Sequence, residues 1–302
     1  MEEGHRFREI THALWLRQVD ESHYALVRFV FSIVALISLG MLWPYRHAFY
    51  SDQGMIDQGA ALAETRYFYL SVFGVVRSAP AVTAYFVFSA GAMVCLALGW
   101  APRLAALCVF IWVSSCALRA PVAVTGWDLV LRSFAFLILV SPLGKAWKLG
   151  GSWLPKTISV PVYGITLMQL QVLVIYWQTV IGRLQDTWWM NGEFFAFFML
   201  SHHSRWPGLW VVEMMPLMRL LTWGTLVFEM VLPILLFVPR TRWWGIVLGI
   251  IFHLAIVVAS NNITMFSLTM IMTYFVFLRE ADISAISAWL RRKGERGRAP
   301  LG

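Results

Sequence analysis

Charge is scarce in this sequence. Asp, Glu, Lys and Arg together make up 13% of its 302 residues, where soluble domains carry roughly 25%. So little charge cannot cover a globular surface of this size, and lipid must be the outer solvent for much of the chain. Cysteine is also rare. Cys95, Cys108 and Cys116 all fall inside apolar stretches and none forms a CxxC pair, which argues against a redox or zinc site. No phosphate-binding loop, dinucleotide glycine fingerprint or GxSxG elbow occurs, so an active site of the soluble type is not expected. The first 23 residues lack the apolar core of a signal peptide. What is plentiful is apolar and aromatic: 59% of residues are hydrophobic, with 16 Trp and 21 Phe, as expected where aromatics gather at membrane interfaces. The net charge of +8 invites a nucleic-acid reading. The basic residues sit mostly in short links and tails between apolar runs, however, where they set topology, and no nucleic-acid partner is expected.

A hydrocarbon layer of about 30 Å takes about 20 helical residues to cross. Eight apolar runs approach that length: 24–43, 81–100, 104–118, 128–143, 160–182, 220–238, 243–260 and 263–278. The sequence therefore predicts an all-α, polytopic transmembrane bundle of about eight helices. Residues 1–23 form a cytoplasmic N-terminal segment, 24–280 the transmembrane domain and 281–302 a basic, frayed cytoplasmic tail. Two long links, 44–80 and 183–219, mix aromatics with charges and read as interfacial helices and loops over the outer face. Most flanking basic residues, among them Arg6, Arg8, Arg17, Arg103, Lys145, Lys148, Lys156, Arg240, Arg242 and the tail, share the side of the two termini. The positive-inside rule then places both termini in the cytoplasm of a plasma (inner) membrane protein.

Ionisable side chains at membrane depth face a bundle interior or a water-filled cavity. Arg28, Asp128, Arg132, Glu229 and His253 are the candidates. Asp128 and Arg132, four residues apart, share a helix face and can pair, and Arg28 can pair with Glu229 between helices. Either these contacts only fix helix packing, or they line a polar pocket near the outer face, or they form a proton or ion path. His253 reads either as a hydrogen-bonded packing residue or as a proton-transfer group, which would need a carboxylate or arginine from another helix beside it. His202 and His203 in the second link point apart if helical, and no HExxH spacing accompanies them, so no metal is expected.

Three stretches carry a resemblance: ALGWAPRLAALCVFIWVSSCALRAPVAVTGWDLVLRSFAFLILVSPLGKAWKL, LQVLVIYWQTVIGRLQDTWWMNGEFF, and FEMVLPILLFVPRTRWWGIVLGIIFHLAIVVASNNITMFSLTMIMTYFVFL. Within them G-x-D-L-x-L-R, Y-x7-L-x3-W-W and F-H-x8-N-x3-F recur in order. This arrangement resembles the HTTM domain, the transmembrane core shared by vitamin K-dependent γ-glutamyl carboxylase and many bacterial proteins, over roughly residues 20–280. The resemblance implies a helical bundle whose pocket opens to the outer face, with vitamin K hydroquinone or another quinone as the cofactor. In the carboxylase, a lysine in the stretch similar to YWQTVIGRL is the base that starts the cycle. Arg183 stands at that place here, and arginine stays protonated, so it cannot act as that base. It can still bind a carboxylate or phosphate. The carboxylase histidine before the fourth helix has no counterpart, the chain reading Val124-Thr125-Gly126-Trp127. No counterpart of the large lumenal domain follows the last run.

What remains matched are His253, with Asn261 or Asn262 after it, and Glu229. Arg183, Glu229 and His253 are thus the catalytic candidates, and Arg28, Asp128, Arg132, Asn261 and Asn262 the ligand-pocket candidates. One functional reading is a membrane protein with an outward-facing pocket for a quinone- or lipid-like ligand, without true γ-carboxylation. A second follows from bacterial members of the sporulation-delaying protein B type: a non-enzymatic accessory protein for maturation or export of a secreted peptide. A transporter is the third, although no inverted repeat or midplane helix break stands out.

Overall fold

The computed structural model describes residues 11–56, 70–143 and 158–285. The basic tail beyond 285, Arg6, Arg8, Lys145, Lys148, Lys156 and part of the first long link lie outside the described residues. The chain is nearly all α-helical. Its α-helices are α1 (Glu21–Leu42), α2 (Arg46–Tyr50), α3 (Ala79–Ala97), α4 (Pro102–Arg119), α5 (Gly126–Val140), α6 (Tyr163–Arg183), α7 (Thr187–Met190), α8 (Phe194–Leu200), α9 (Trp210–Glu213), α10 (Met215–Phe237), α11 (Arg242–Ala259) and α12 (Thr264–Thr273). All eight expected runs are helical. Among the described residues six helices are long and apolar enough to cross a membrane: α1, continued through α2, then α3, α4, α6, α10 and α11. The other two are shorter. The α5 helix spans 15 residues, and α12 gives way to a 3-10 turn at Tyr274–Phe277. The second long link holds the short helices α7, α8 and α9.

Two compact units emerge, one from Met1–Leu167 with Leu278–Gly302, the other from Met168–Phe277. In the first, α1 packs on α3, α3 on α4, α4 on α5, and α1 also on α5. The local sequence explains where these helices begin. The Asp20 carboxylate accepts from Ser22 N–H (2.7 Å) at the start of α1, and Thr125 and Asp128 form a capping box at α5, each satisfying N–H groups a helix start leaves free. Between α3 and α4 the chain reverses through Gly99 (φ 70°) and Ala101 (φ 40°) before Pro102 opens the next helix. Gly99 is required twice over, because an added Cβ would also lie 2.8 Å from the Arg28 guanidinium. A feature the sequence did not suggest is a two-stranded antiparallel ladder, β1 (Gln18–Asp20) with β2 (Ser159–Pro161), pairing Val19 with Val160. It brings Tyr24 to the start of α6. The Tyr24 hydroxyl donates to Pro161 C=O (2.7 Å) and accepts from the N–H groups of Gly164 (3.1 Å) and Ile165 (3.3 Å).

In the second unit α10 packs on α11 and α8, and α11 on α12. The outward stripe of α11 is wholly apolar: Trp244, Leu248, Ile251, Leu254 and Val258 are all exposed. An exposed apolar face running the length of a helix is foreign to a water-soluble surface and is what lipid requires. The chain is therefore a multi-pass membrane protein.

Candidate functional site

The second unit gathers all three catalytic candidates. Arg183 is the last residue of α6, where the helix carbonyls favour a cation. Its Nη1 donates to Glu229 Oε2 on α10, forming an ion pair. The side chains are unequally exposed, Arg183 to 25% and Glu229 to 8%, so the cation faces outward and the anion inward. The guanidinium lies 4.1 Å from the ring centroid of Trp189, which is itself stacked on Phe194 at 4.0 Å. Trp189, Val180 and Leu226 form the buried apolar cluster beneath this pair. Glu229 also sits at a weak point in its helix. Pro233 lies inside α10 and has no N–H to give to the Glu229 carbonyl four residues earlier. The Met230 carbonyl, one residue on, receives the indole N–H of Trp177 (3.2 Å).

A second polar group lies deeper along α6. The Tyr176 hydroxyl is bonded to both His253 Nε2 (3.0 Å) and the Tyr274 hydroxyl. All three side chains are buried, His253 being 1% exposed. The ring of His253 meets Phe266 edge-on (5.8 Å), and Phe252 packs on Phe228 (4.6 Å). Gly249 makes room for this arrangement: a Cβ there would lie 2.7 Å from the Tyr274 hydroxyl. Glu229 is close enough for its charge to act on both tyrosines. The second imidazole nitrogen, Nδ1, is buried and has no hydrogen-bond partner among the described residues. In an apolar interior such an atom is costly unless something else satisfies it. Chemically, the Tyr176 hydroxyl can donate to one neighbour while accepting from the other, and His253 Nδ1 can then meet a ligand as acceptor or donor according to its tautomer.

The remaining candidates are spread over other places. Asn261 and Asn262 form the turn between α11 and α12 and tie it to the second link: Asn261 Nδ2 donates to Ser204 C=O (2.8 Å), and the Asn262 amide hydrogen-bonds His203 Nδ1 (2.9 Å). His202 and His203 are not on a helix, as was considered, but in a turn where their rings approach to 3.9 Å. In the first unit Arg28 is fully buried, donates to Leu143 C=O (3.1 Å) and feels the charge of Glu21. Glu229, its expected partner, is held by Arg183 instead. Asp128 turns back to Thr125, accepting from both its N–H and its hydroxyl at 2.9 Å, and Arg132 acts on it through space.

Sequence reasoning did not count Tyr176, Tyr274, Trp189 or Arg119 among the site candidates, although Tyr176 and Trp189 stand in the Y-x7-L-x3-W-W pattern. The tyrosines were hidden in apolar runs, where a hydroxyl amid Leu, Val and Ile was itself the signal. Arg119 lies just beyond the expected run 104–118. It is the last residue of α4, 2% exposed, and donates to the carbonyls of Ser51 (3.3 Å) and Ile56 (2.9 Å).

Comparison with known proteins accords with this architecture. Uncharacterized protein YitO of Bacillus subtilis (strain 168) is 23% identical over 212 residues, covering 66% of this chain and 68% of that protein. Sporulation-delaying protein SdpB of the same organism is 25% identical over 207 residues, 64% of this chain and 62% of SdpB. The match thus spans somewhat less than two thirds of SdpB. No solved structure matches. The model of the HTTM domain matches residues 16–281, from before α1 to beyond α12, and the chain belongs to the HTTM domain family of integral membrane proteins.

Proposed function

We propose that this HTTM protein binds a quinone or hydroquinone within the second unit and does not carry out γ-glutamyl carboxylation. The observation that carries the reading is the buried Tyr176–Tyr274–His253 group with an unbonded imidazole nitrogen. A quinone presents two oxygens that accept hydrogen bonds, a hydroquinone two hydroxyls that donate as well, both on a flat apolar ring. Tyrosine and histidine among phenylalanines match those demands. The absence of carboxylation follows from Arg183. It takes the place of the lysine base in the resemblance, stays protonated, and is committed to Glu229. The distribution of basic residues supports a plasma membrane location with both termini in the cytoplasm and the 183–219 link outside.

The test is extraction of the purified protein from quinone-containing membranes. Wild type retains quinone at close to one per chain, and His253→Leu, checked for an unchanged melting profile, loses it. Equal retention by both proteins, or formation of γ-carboxyglutamate in a model peptide supplied with vitamin K hydroquinone, contradicts the reading.

A second reading is favoured by the likeness to SdpB: an accessory membrane protein for maturation or export of a secreted peptide. Deleting the gene would then remove a defined peptide from the culture medium, and re-expression would restore it. An unchanged set of secreted peptides speaks against it.

A further inference from the structure

The Arg183–Glu229 pair has an open side. Glu229 takes a hydrogen bond from Nη1 alone, and among the described residues Nε and Nη2 of Arg183 donate to nothing. A guanidinium has five N–H groups in a fixed plane, so most of its donor capacity is unused while the group itself is held still. Two contacts fix it, the carboxylate behind it and the Trp189 face beneath it, and Phe194 in turn backs Trp189. The free Nε/Nη2 edge is the one that grips two oxygens of a carboxylate or phosphate at once.

The surroundings say which kind of anion reaches it. Ile181 and Leu184, on either side of Arg183 in sequence, are 56% and 47% exposed, and Trp188 is 49% exposed. The guanidinium thus ends a transmembrane helix amid apolar side chains that face outward. Water-soluble anions gain nothing from such a rim, whereas an amphiphile can place its charge on the guanidinium and its chains along Ile181 and Leu184.

We infer that Arg183, oriented by Glu229 and Trp189, is the recognition group of a site for the phosphate of an anionic lipid head group. This inference is independent of the quinone reading, which rests on other side chains. Glu229 occupies only Nη1 of the guanidinium, and a monoanionic phosphate hydrogen-bonded to the free edge completes a carboxylate–arginine–phosphate sandwich at the membrane boundary.

The experiment uses the full chain in nanodiscs of phosphatidylcholine with and without phosphatidylglycerol, read by native mass spectrometry and by thermal unfolding. Arg183→Gln strands a buried carboxylate, so Arg183→Gln/Glu229→Gln, which removes both charges together, is the decisive variant. Arg183→Lys keeps the charge without the planar fork. The expected result is retained phosphatidylglycerol and a raised melting temperature in wild type, with affinity lower by about tenfold in the double variant and intermediate in Arg183→Lys. If inorganic phosphate at millimolar concentration reproduces the wild-type shift in phosphatidylcholine alone, Arg183 takes the free anion and the assignment to a lipid head group is overturned. If phosphatidylglycerol is retained equally by wild type and the folded double variant, the inference is overturned. If the lipid binds wild type no better than phosphatidylcholine does, it is likewise overturned.

Discussion

Removing one member of the Arg183–Glu229 pair should cost far more than removing both. In Arg183→Gln the Glu229 carboxylate keeps its burial, with its side chain 8% exposed, and loses its counter-ion. Breaking a fully buried ion pair in this way costs about 3–5 kcal/mol. Arg183 is a quarter exposed, so water already screens part of the interaction, and a value just below that range, about 2–3 kcal/mol, applies. Loss of the guanidinium from the Trp189 face adds about 0.5–1 kcal/mol. Arg183→Gln is therefore expected to lose about 3 kcal/mol. In Arg183→Gln/Glu229→Gln two neutral amides face each other and no buried charge remains, so the loss should fall to about 1 kcal/mol. Equilibrium unfolding in mixed micelles of mild detergent and dodecyl sulfate, run on wild type, both single variants and the double variant, measures the coupling directly. The coupling energy, the sum of the two single losses less the loss in the double variant, is expected to exceed about 2 kcal/mol. A double variant as unstable as the sum of the single ones would refute the pairing and, with it, the account of why Glu229 tolerates its apolar site.

Three further outcomes follow from the geometry. Gly249→Ala drives a methyl group to 2.7 Å from the Tyr274 hydroxyl, so stability should drop by about 1–3 kcal/mol, and Gly249→Ala combined with Tyr274→Leu should lose less than the two changes separately. Asp128→Ala removes the acceptor of the Thr125 N–H and hydroxyl at the start of α5. It should cost about 1 kcal/mol and speed hydrogen exchange in the first turn of that helix. Tyr24→Phe deprives the first turn of α6 of an acceptor for two N–H groups, and an unfolding titration should register about 1–3 kcal/mol.

The helices were the most legible part of the molecule, because crossing lipid imposes run length and the runs are long. The boundaries that moved did so for local reasons. At its N-terminal side α5 begins at the Thr125–Asp128 box, and at the far side Ser141, in extended conformation, ends it. The last helix tightens into a 3-10 turn at Tyr274, the residue that must turn inward to reach Tyr176. Charged residues at membrane depth were recognisable as candidates, but their partners were not. Arg183 and Glu229 are 46 positions apart, and no spacing rule distinguishes Arg183 from Arg28 as the counter-ion. The β1–β2 ladder was invisible because three-residue strands carry no alternation to read. Pro233 could have been seen: a proline within an apolar run marks a place where a helix needs outside hydrogen bonds, and Glu229 stands four residues before it.

The most direct measurement of the central claim is a saturation titration of the reconstituted protein with vitamin K quinone, comparing wild type with Tyr176→Phe and Tyr274→Phe. Each variant keeps its ring and loses one hydroxyl of the buried group. Saturable binding at one site, weakened about tenfold by the loss of the Tyr176 hydroxyl in a variant that stays folded though less stable by about 1–3 kcal/mol, is the predicted result. Binding that is absent, or equal in all three proteins, would contradict it.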